Sequence, residues 1–546
     1  MASRTGWNFA DVWEAVADTI PDSPAQRQGD RVVTWGAFDR RADGIARTIL
    51  DSGTDDAPTA EQDKVAMYVH NCPEYLETVF ACFKAGLVPV NTNYRYADAE
   101  LTYLWENADA VAVVFHGTFS ERIEGIRDQV PGVRVWLWVD DGSGPCPDWA
   151  TPYETAAASA SERVVAPWGR SGDHILMLYT GGTTGMPKGV MWRQRDLFVA
   201  ITSATVPTYG DQLDLDAVRE LAAQPGRPVG MPACPLMHGT GWFMMLQNLS
   251  VGGLVITLES RTLDIDELFD TIEAQAVQMV VIVGDAFAKP MLRALDAAPD
   301  RWDLSSLFLL ISSGVMWSEP VKQALLAHHG GMMLVDAFSS SEALGMGQSV
   351  SSAGGTSGTA KFLLGDNARV IDDAGNDVAP GSGEIGRVAV KGFTPLGYYK
   401  DEAKSAATFV EIDGERYSVP GDYAQVDAEG GLVLLGRGSQ CINTGGEKVY
   451  PEEVEEVLKE HPAIADAVAV GVPDEKFGEA ITAMVEATPG VTVDEADVIA
   501  HVKAHLATYK APKRVLVIDT IGRAPNGKVD YKRLKAEAAA TLGISG

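Results

Sequence analysis

A short apolar run, Ile175 to Tyr179, passes directly into LYTGGTTGMPKGVM, residues 178–191. A buried strand that ends this way is suited to deliver its turn to a ligand. Gly181, Gly182 and Gly185 let backbone amides approach closely, and Thr180, Thr183 and Thr184 add hydroxyls, so the turn is a nest for phosphate oxygens. Pro187 is expected to fix the turn ahead of Lys188, whose compact ammonium suits a polyphosphate. Proline precedes that lysine and glycine follows it, whereas a Walker A loop carries glycine and then Ser or Thr. A P-loop NTPase is therefore disfavoured. A plain surface loop is the other reading, and the density of donors around one lysine argues against it.

The rest of the chain alternates strand and helix. Apolar residues at helical spacing predict helices over Asn8–Ile20 and Trp35–Leu50, and a third over Pro73–Ala85. Strands are predicted at Val32–Val33, Lys64–His70, Leu87–Asn91, Val111–Phe115 and Val133–Val139, which implies a mostly parallel sheet covered by helices. Ala156 to Ser161 reads as a loop or weak helix, and no internal repeat is found. With 546 residues, 46% hydrophobic and 22% charged, the chain has the composition of a soluble globular protein and is too long for one core, so two or more domains are expected. The formal net charge of −31 would repel duplex DNA and anionic membranes, which argues against them as partners, and it implies a locally basic site for any anionic substrate. Five scattered cysteines without a CxxC pair suit reduced thiols in the cytoplasm. The nine histidines show no metal-ligand spacing such as HExxH. The acidic start is not a signal peptide, and Trp242–Leu258 is too interrupted to cross a membrane.

Further motifs lie at strand ends. Val280–Val283 leads into Gly284, Asp285, Ala286 and Phe287, and Leu307–Ile311 into Ser312, Ser313 and Gly314; ligands collect at such carboxyl ends. His238, in MPACPLMHGTG, stands before Trp242, Phe243, Met244 and Met245, where a hydrogen-bonded core histidine is the ordinary reading. Met332–Val335 runs into DAFSSSEALG, 336–345, in which the serines and Glu342 would also suit a helix capping box. From Val350 to Leu435 short strands and turns suggest a small β-rich subdomain. Gly381, Gly383 and Gly386 match a dinucleotide fingerprint only in spacing, because a turn precedes them and a strand follows. Pro451 opens a helix with Glu452 and Glu453 in its first turn. The last segment has an α+β pattern: strands at Ala465–Val472, Ala480–Ala487 and Arg514–Ile518, and a helix at Asp494–Leu506. It includes RAPNGKVDY, 523–531, where Lys528 would ordinarily be a solvated surface lysine.

YTGGTTGMPKGV resembles the phosphate signature of the acyl-adenylate-forming superfamily, which comprises acyl-CoA synthetases, peptide-synthetase adenylation domains and firefly-type luciferases. The resemblance extends in order from about Val32 to Tyr531. It implies an α/β fold with a large N-terminal domain, 1–436, made of two α/β subdomains and a small β-barrel-like subdomain. A hinge at 437–440 and a small mobile α+β C-terminal domain, 441–546, would follow. The implied reaction is AMP-forming ligation of a carboxylic acid to coenzyme A, with ATP and Mg²⁺. Thr180 to Gly185 and Lys188 would hold phosphates, and Ser313, Gly314, Asp336, Ala337 and Phe338 the adenine side. Ser341 would meet the α-phosphate, Glu342 and Thr184 the metal, Asp422 the ribose hydroxyls, and Arg437 ribose and phosphate. Phe338 replaces the family's tyrosine, and Ser439 and Gln440 replace its charged hinge pair. Gly445, Gly446 and Lys448 would flank the pantetheine arm of CoA. Lys528 would be the catalytic lysine, and His238 would stand where acyl pocket and phosphates meet. Met237, Trp242, Phe243, Gly284, Phe287 and Val315 would line the acyl pocket. NTNYRYADAELTYL, GDAFAKP and GGEKVYPEEVE most resemble actinobacterial fatty-acyl-CoA synthetases acting on sterol side-chain acids, so a long or bulky acid is expected. A ligase for medium-chain or aryl acids, an acyl-AMP ligase loading a carrier protein and a luciferase-like oxygenase are the competing readings. Oligomeric state stays open, a homodimer being one option.

Overall fold

The computed structural model describes residues 7–54, 61–182, 185–203, 206, 209, 214–315, 317–444, 447–474, 477–506, 508–524 and 527–544. Three sheets organise them. In the first, Val88–Asn91, Lys64–Tyr68, Ala110–His116 and Val135–Val139 run parallel in that spatial order. Every residue of these four strands is buried, because helices cover both faces and side chains on either side of the pleat meet protein. Ile175–Gly182 joins beside Val88–Asn91, so the glycine-rich segment leaves the sheet at the carboxyl end of its parallel strands.

The second sheet carries Pro24–Gln28, Leu254–Thr257, Val229–Pro232, Met279–Ile282, Leu309–Ser313 and Met333–Ser340 in parallel. Its order then turns antiparallel through Ala343–Ser351, Lys361–Leu364, Leu432–Arg437 and Asp422–Val426. The expected β-rich part is thus hydrogen-bonded to the α/β sheet and shares its ladder. The fingerprint-like glycines lead into the strand Gly386–Lys391, so no helix N-terminus faces them. The third sheet, Ile442–Thr444, Glu447–Val449, Ile464–Asp474, Gly478–Ala487 and Arg514–Val517, builds the small C-terminal lobe.

Helix Phe9–Thr19 shows how sequence pattern becomes packing. Asn8 caps it with a reciprocal bond to Asp11, and the inward face sets Trp13 among Phe38, Phe80 and Phe83 at ring separations of 5.2–5.8 Å. Beneath this cluster Lys84 is wholly buried. Glu14, Asp39 and Asp43 reach it at 2.6–2.8 Å, which offsets the cost of removing its charge from water. Ala156 and Ala157 end the short helix Tyr153–Ala157. Among the described residues no helix is long and apolar enough to cross a membrane.

Candidate active site

The phosphate segment is a β-hairpin. Ile175–Gly182 pairs antiparallel with Gly185–Arg193, Thr180 facing Lys188 and Gly182 facing Gly185 across an irregularity between Thr180 and Gly182. Pro187, expected to shape a turn, lies in the second strand opposite that irregularity, where its missing N–H costs the ladder nothing. Thr183 and Thr184 lie outside the described residues. Lys188 projects from the strand and forms an ion pair with Asp401. Asn91, at the end of its buried strand, locks the hairpin root: its amide donates to the carbonyls of Tyr179 at 2.9 Å and Met237 at 2.7 Å, and its oxygen accepts the Tyr179 N–H at 2.6 Å. The hairpin and the segment before His238 are thereby held together. A Cβ on Gly239 would lie 3.0 Å from Leu178, a close approach that glycine permits.

A second hairpin lies opposite. Met333–Ser340 and Ala343–Ser351 pair antiparallel, leaving Ser341 and Glu342 at the tip. The capping-box alternative is therefore overturned, since no helix begins there. The tip is held from three sides: Trp192 Nε1 donates to the Ser341 carbonyl at 3.0 Å, Ser418 Oγ to the Glu342 carbonyl at 2.7 Å, and Tyr398 Oη to Glu342 Oε1 at 2.8 Å. One oxygen of Glu342 is thus fixed, and the other is a hard oxygen donor of the kind that could hold a divalent cation. Phe338 is almost fully buried, tilted against Phe362 at 5.4 Å.

Between the hairpins, Met279–Ile282 and Leu309–Ser313 end side by side, and the Gly284 N–H donates to Ser312 Oγ at 2.8 Å. Ser313 is buried, and Gly314 adopts a left-handed φ of 93° that favours glycine. Phe287 is buried in the first turn of helix Gly284–Ala297. Asp336 pairs with Lys322 at 3.4 Å. Burial raises its carboxyl to about 6, and Lys322 opposes that rise. Trp242 and Phe243 are both buried, Trp242 edge-on to Tyr75 at 5.6 Å and Phe243 against Trp192 at 6.4 Å.

Asp422 and Arg437 face each other across neighbouring strands and bond at 3.1 Å from Nε to Oδ1. Asp422 Oδ2 is buried with no protein partner among the described residues, so it is placed to accept from a ligand. Arg437 is held above the usual guanidinium range, chiefly by Asp422.

The small lobe reaches this place through the turn that carries Lys528. Ala524 N–H donates to the Lys528 carbonyl at 2.8 Å and Gly527 N–H to the Ala524 carbonyl at 2.7 Å. A Cβ at Gly527 would stand 2.8 Å from Val315 and 3.3 Å from Val283, so the turn is seated on the two strand ends of the large lobe. Burial lowers the pKa of Lys528 and Arg437 lowers it further, while Glu342 and Asp422 oppose that shift. Burial, then Lys528 and Arg95, depress His238 to about 3, which keeps its imidazole neutral. Lys528 is exposed, and Arg437 and His238 retain accessible surface although protein surrounds them closely.

Lys528, Glu342, Asp422, Arg437, His238 and Val315 therefore gather in one neighbourhood, and Lys188 stands on the phosphate hairpin. Gly445 and Gly446 lie outside the described residues, as does the side chain of Lys448. Sequence reasoning missed Asn91, Tyr398 and Asp401. Asn91 alone left a local signal, a polar residue closing an apolar strand. One expectation is corrected: His501 and His505 stand at the same i, i+4 spacing as the histidines of HExxH, on helix Glu495–His505.

A glycine-rich hairpin in the large lobe and a lysine that the small lobe brings beside Glu342, Asp422 and Arg437 are the two halves of the site. The description of an AMP-binding enzyme matches residues 13–399, and that of the AMP-binding enzyme C-terminal domain matches 453–528. The chain is 39% identical over 539 residues to a medium/long-chain-fatty-acid and 3-oxocholest-4-en-26-oate CoA ligase of Mycolicibacterium smegmatis, covering 97% of this chain and 96% of that protein. It is also 39% identical to a 3-oxocholest-4-en-26-oate CoA ligase of Rhodococcus rhodochrous, covering 97% and 95%. ATP-bound MatB from Rhodopseudomonas palustris superposes with a TM-score of 0.79 at 25% identity, covering 98% of this chain and all of that one. The chain belongs to the AMP-binding enzyme family, and within it is an acyl-CoA ligase.

Proposed function

We propose that the chain activates a long or bulky apolar carboxylic acid, sterol side-chain acids included, and passes it to coenzyme A. The observation that carries the catalytic part is the seating of the Gly527 turn on Val283 and Val315, with Lys528 beside Glu342, Asp422 and Arg437. In the first half-reaction a carboxylate oxygen bonds to the α-phosphorus of ATP and pyrophosphate leaves. Two anions must meet, so neutralising charge is the enzyme's main task. Lys528 donates to the developing negative charge at the α-phosphate. Asp422 accepts from the ribose, and the hairpin amides, Thr180 and Lys188 hold the phosphates, with Asp401 positioning Lys188. The second oxygen of Glu342 would hold Mg²⁺, with Thr184 as the further ligand that the family resemblance implies, and the ion would supply neutralisation of phosphate charge. Neutral His238 adds no charge between carboxylate and phosphate. In the second half-reaction the CoA thiolate attacks the acyl carbon and AMP departs. For this the Lys528 turn withdraws and the turn at Gly445 and Gly446 takes its place.

The bulky-acid assignment is supported by the 39% identity to ligases named for sterol and fatty acids and by the apolar character of Met237, Phe243, Phe287 and Val315, which the family resemblance puts along the acyl pocket. A panel of steroid side-chain, long-chain, medium-chain and aryl acids, assayed for pyrophosphate and thioester with and without CoA, tests it. The expected result is the highest kcat/KM on the bulky or long acids. Preference for aryl acids, or acyl-AMP release unaffected by CoA, would overturn it.

A further inference from the structure

Helices Pro451–Lys459 and Glu495–His505 pack against each other in the small lobe through Val454, Val457, Val498 and Val502. Where the first ends and the second approaches its last turn, Glu460, His501 and His505 gather, each with one ligand atom within 4.8 Å of the others. We propose that these three residues form a binding site for a divalent transition metal of the Zn²⁺ type, remote from the ATP chemistry.

Nitrogen chemistry carries the assignment. His501 Nε2 lies 3.1 Å from the Val457 carbonyl, so it must bear the hydrogen, which leaves Nδ1 with a lone pair. His505 Nδ1 lies 2.8 Å from the His501 carbonyl, so its hydrogen is likewise committed and Nε2 is left to bind. Fixing one ring nitrogen on a backbone carbonyl is the arrangement that orients a metal-binding imidazole. A third histidine sorts itself out of the set. His461 Nδ1 accepts the Ala463 N–H at 3.2 Å and Nε2 faces Asp497 at 3.2 Å, so both its nitrogens are used. Its ring stands edge-on to His501 at 5.2 Å and buttresses it.

Two imidazoles and a carboxylate suit Zn²⁺, with water completing the shell, better than they suit Mg²⁺, which prefers all-oxygen ligands. Bonds of about 2.1 Å at a tetrahedral centre need ligand atoms about 3.4 Å apart. Glu460 is exposed and can close that gap by a rotamer shift while His505 keeps its bond to the His501 carbonyl. Bound metal would tie the far end of the helix that begins at Pro451 to its neighbour, stiffening the lobe that carries Lys528.

The test uses the full chain stripped with chelator and titrated with Zn²⁺ by calorimetry at pH 7.5. One equivalent should bind, with a rise in unfolding temperature. His505→Ala, on an exposed last-turn residue, should weaken binding at least about tenfold and abolish the thermal shift, and Glu460→Gln should weaken it less. Binding should fade below pH 6 as the imidazoles protonate. Absence of a one-equivalent isotherm, or one unchanged in both His505→Ala and His501→Gln, overturns the proposal.

Discussion

Lys528 can meet developing negative charge only while protonated, and its surroundings lower its pKa. Adenylate formation should therefore decline with rising pH below the range of an ordinary lysine, and Lys528→Arg should move that alkaline limb upward. Lys528→Ala should slow adenylation by about 10²–10³, the cost of losing one donor at developing charge, while supplied acyl-adenylate is still converted to thioester. Pyrophosphate release and thioester formation, followed separately, decide this; equal loss in both would remove Lys528 from its role. Tyr398→Phe should raise the Mg²⁺ needed for half-maximal rate, because a hydrogen bond to a charged group contributes about 1.5–3 kcal/mol. An unchanged Mg²⁺ titration would show that Tyr398 does not position Glu342. Lys528 and Glu342 were legible because each sits in a contiguous motif. Tyr398 and Asp401 were not, because their partners are 56 and 213 residues away, and the local signal at Asn91 did not name its partner 88 residues away, since only the folded topology brings these groups together.

At the scale of the element, the glycine-rich signature became a hairpin and DAFSSSEALG became another. Serine and glycine signal a chain reversal without saying what flanks it, and cap propensity is a local preference that sheet pairing overrides. Helix Pro451–Lys459 met its expected start, with Pro451 at N1 and Glu453 closing on the Tyr450 N–H at 3.2 Å. Its neighbour Glu452 carries an unforeseen burden. The carboxylate packs against Gly436, where a Cβ would stand 2.0 Å from Oε2, and that oxygen has no protein partner among the described residues. Burial, then Glu455, raises its pKa to about 8 from an ordinary 4.5. The native chain thus keeps a proton that the unfolded chain loses near 4.5, so stability should fall as pH rises from there to about 8 and level off above. Glu452→Gln should flatten that fall and be the more stable protein at pH 8, as denaturant titrations across the interval would show.

The whole molecule is two lobes meeting at the Gly527 turn, joined also by Lys289 Nζ to the Ala465 carbonyl at 3.0 Å. Gly527 has a φ of 70° and no room for a methyl group. Gly527→Ala should therefore unseat the turn and cut adenylation by about 10–100-fold, leaving thioester formation from supplied adenylate intact. Adding Val315→Ala should restore part of the loss; no recovery would mean that the backbone conformation, rather than the contact, is responsible. The two-lobe plan was legible from the order of motifs, whereas the continuity of the second sheet was not, because Lys361–Leu364 has too few residues to announce its neighbours.

That continuity bears on how the intermediate is kept. Leu432–Arg437, the last strand before the turn Gly438–Gln440, is laddered on one side to Lys361–Leu364 and on the other to Asp422–Val426. The stator of the proposed swivel is therefore the same plate that carries Asp422 and Arg437. In the proposed cycle the small lobe turns while the ribose contacts assigned to these two residues stay with the plate, so a reactive anhydride need not be released between its making and its use.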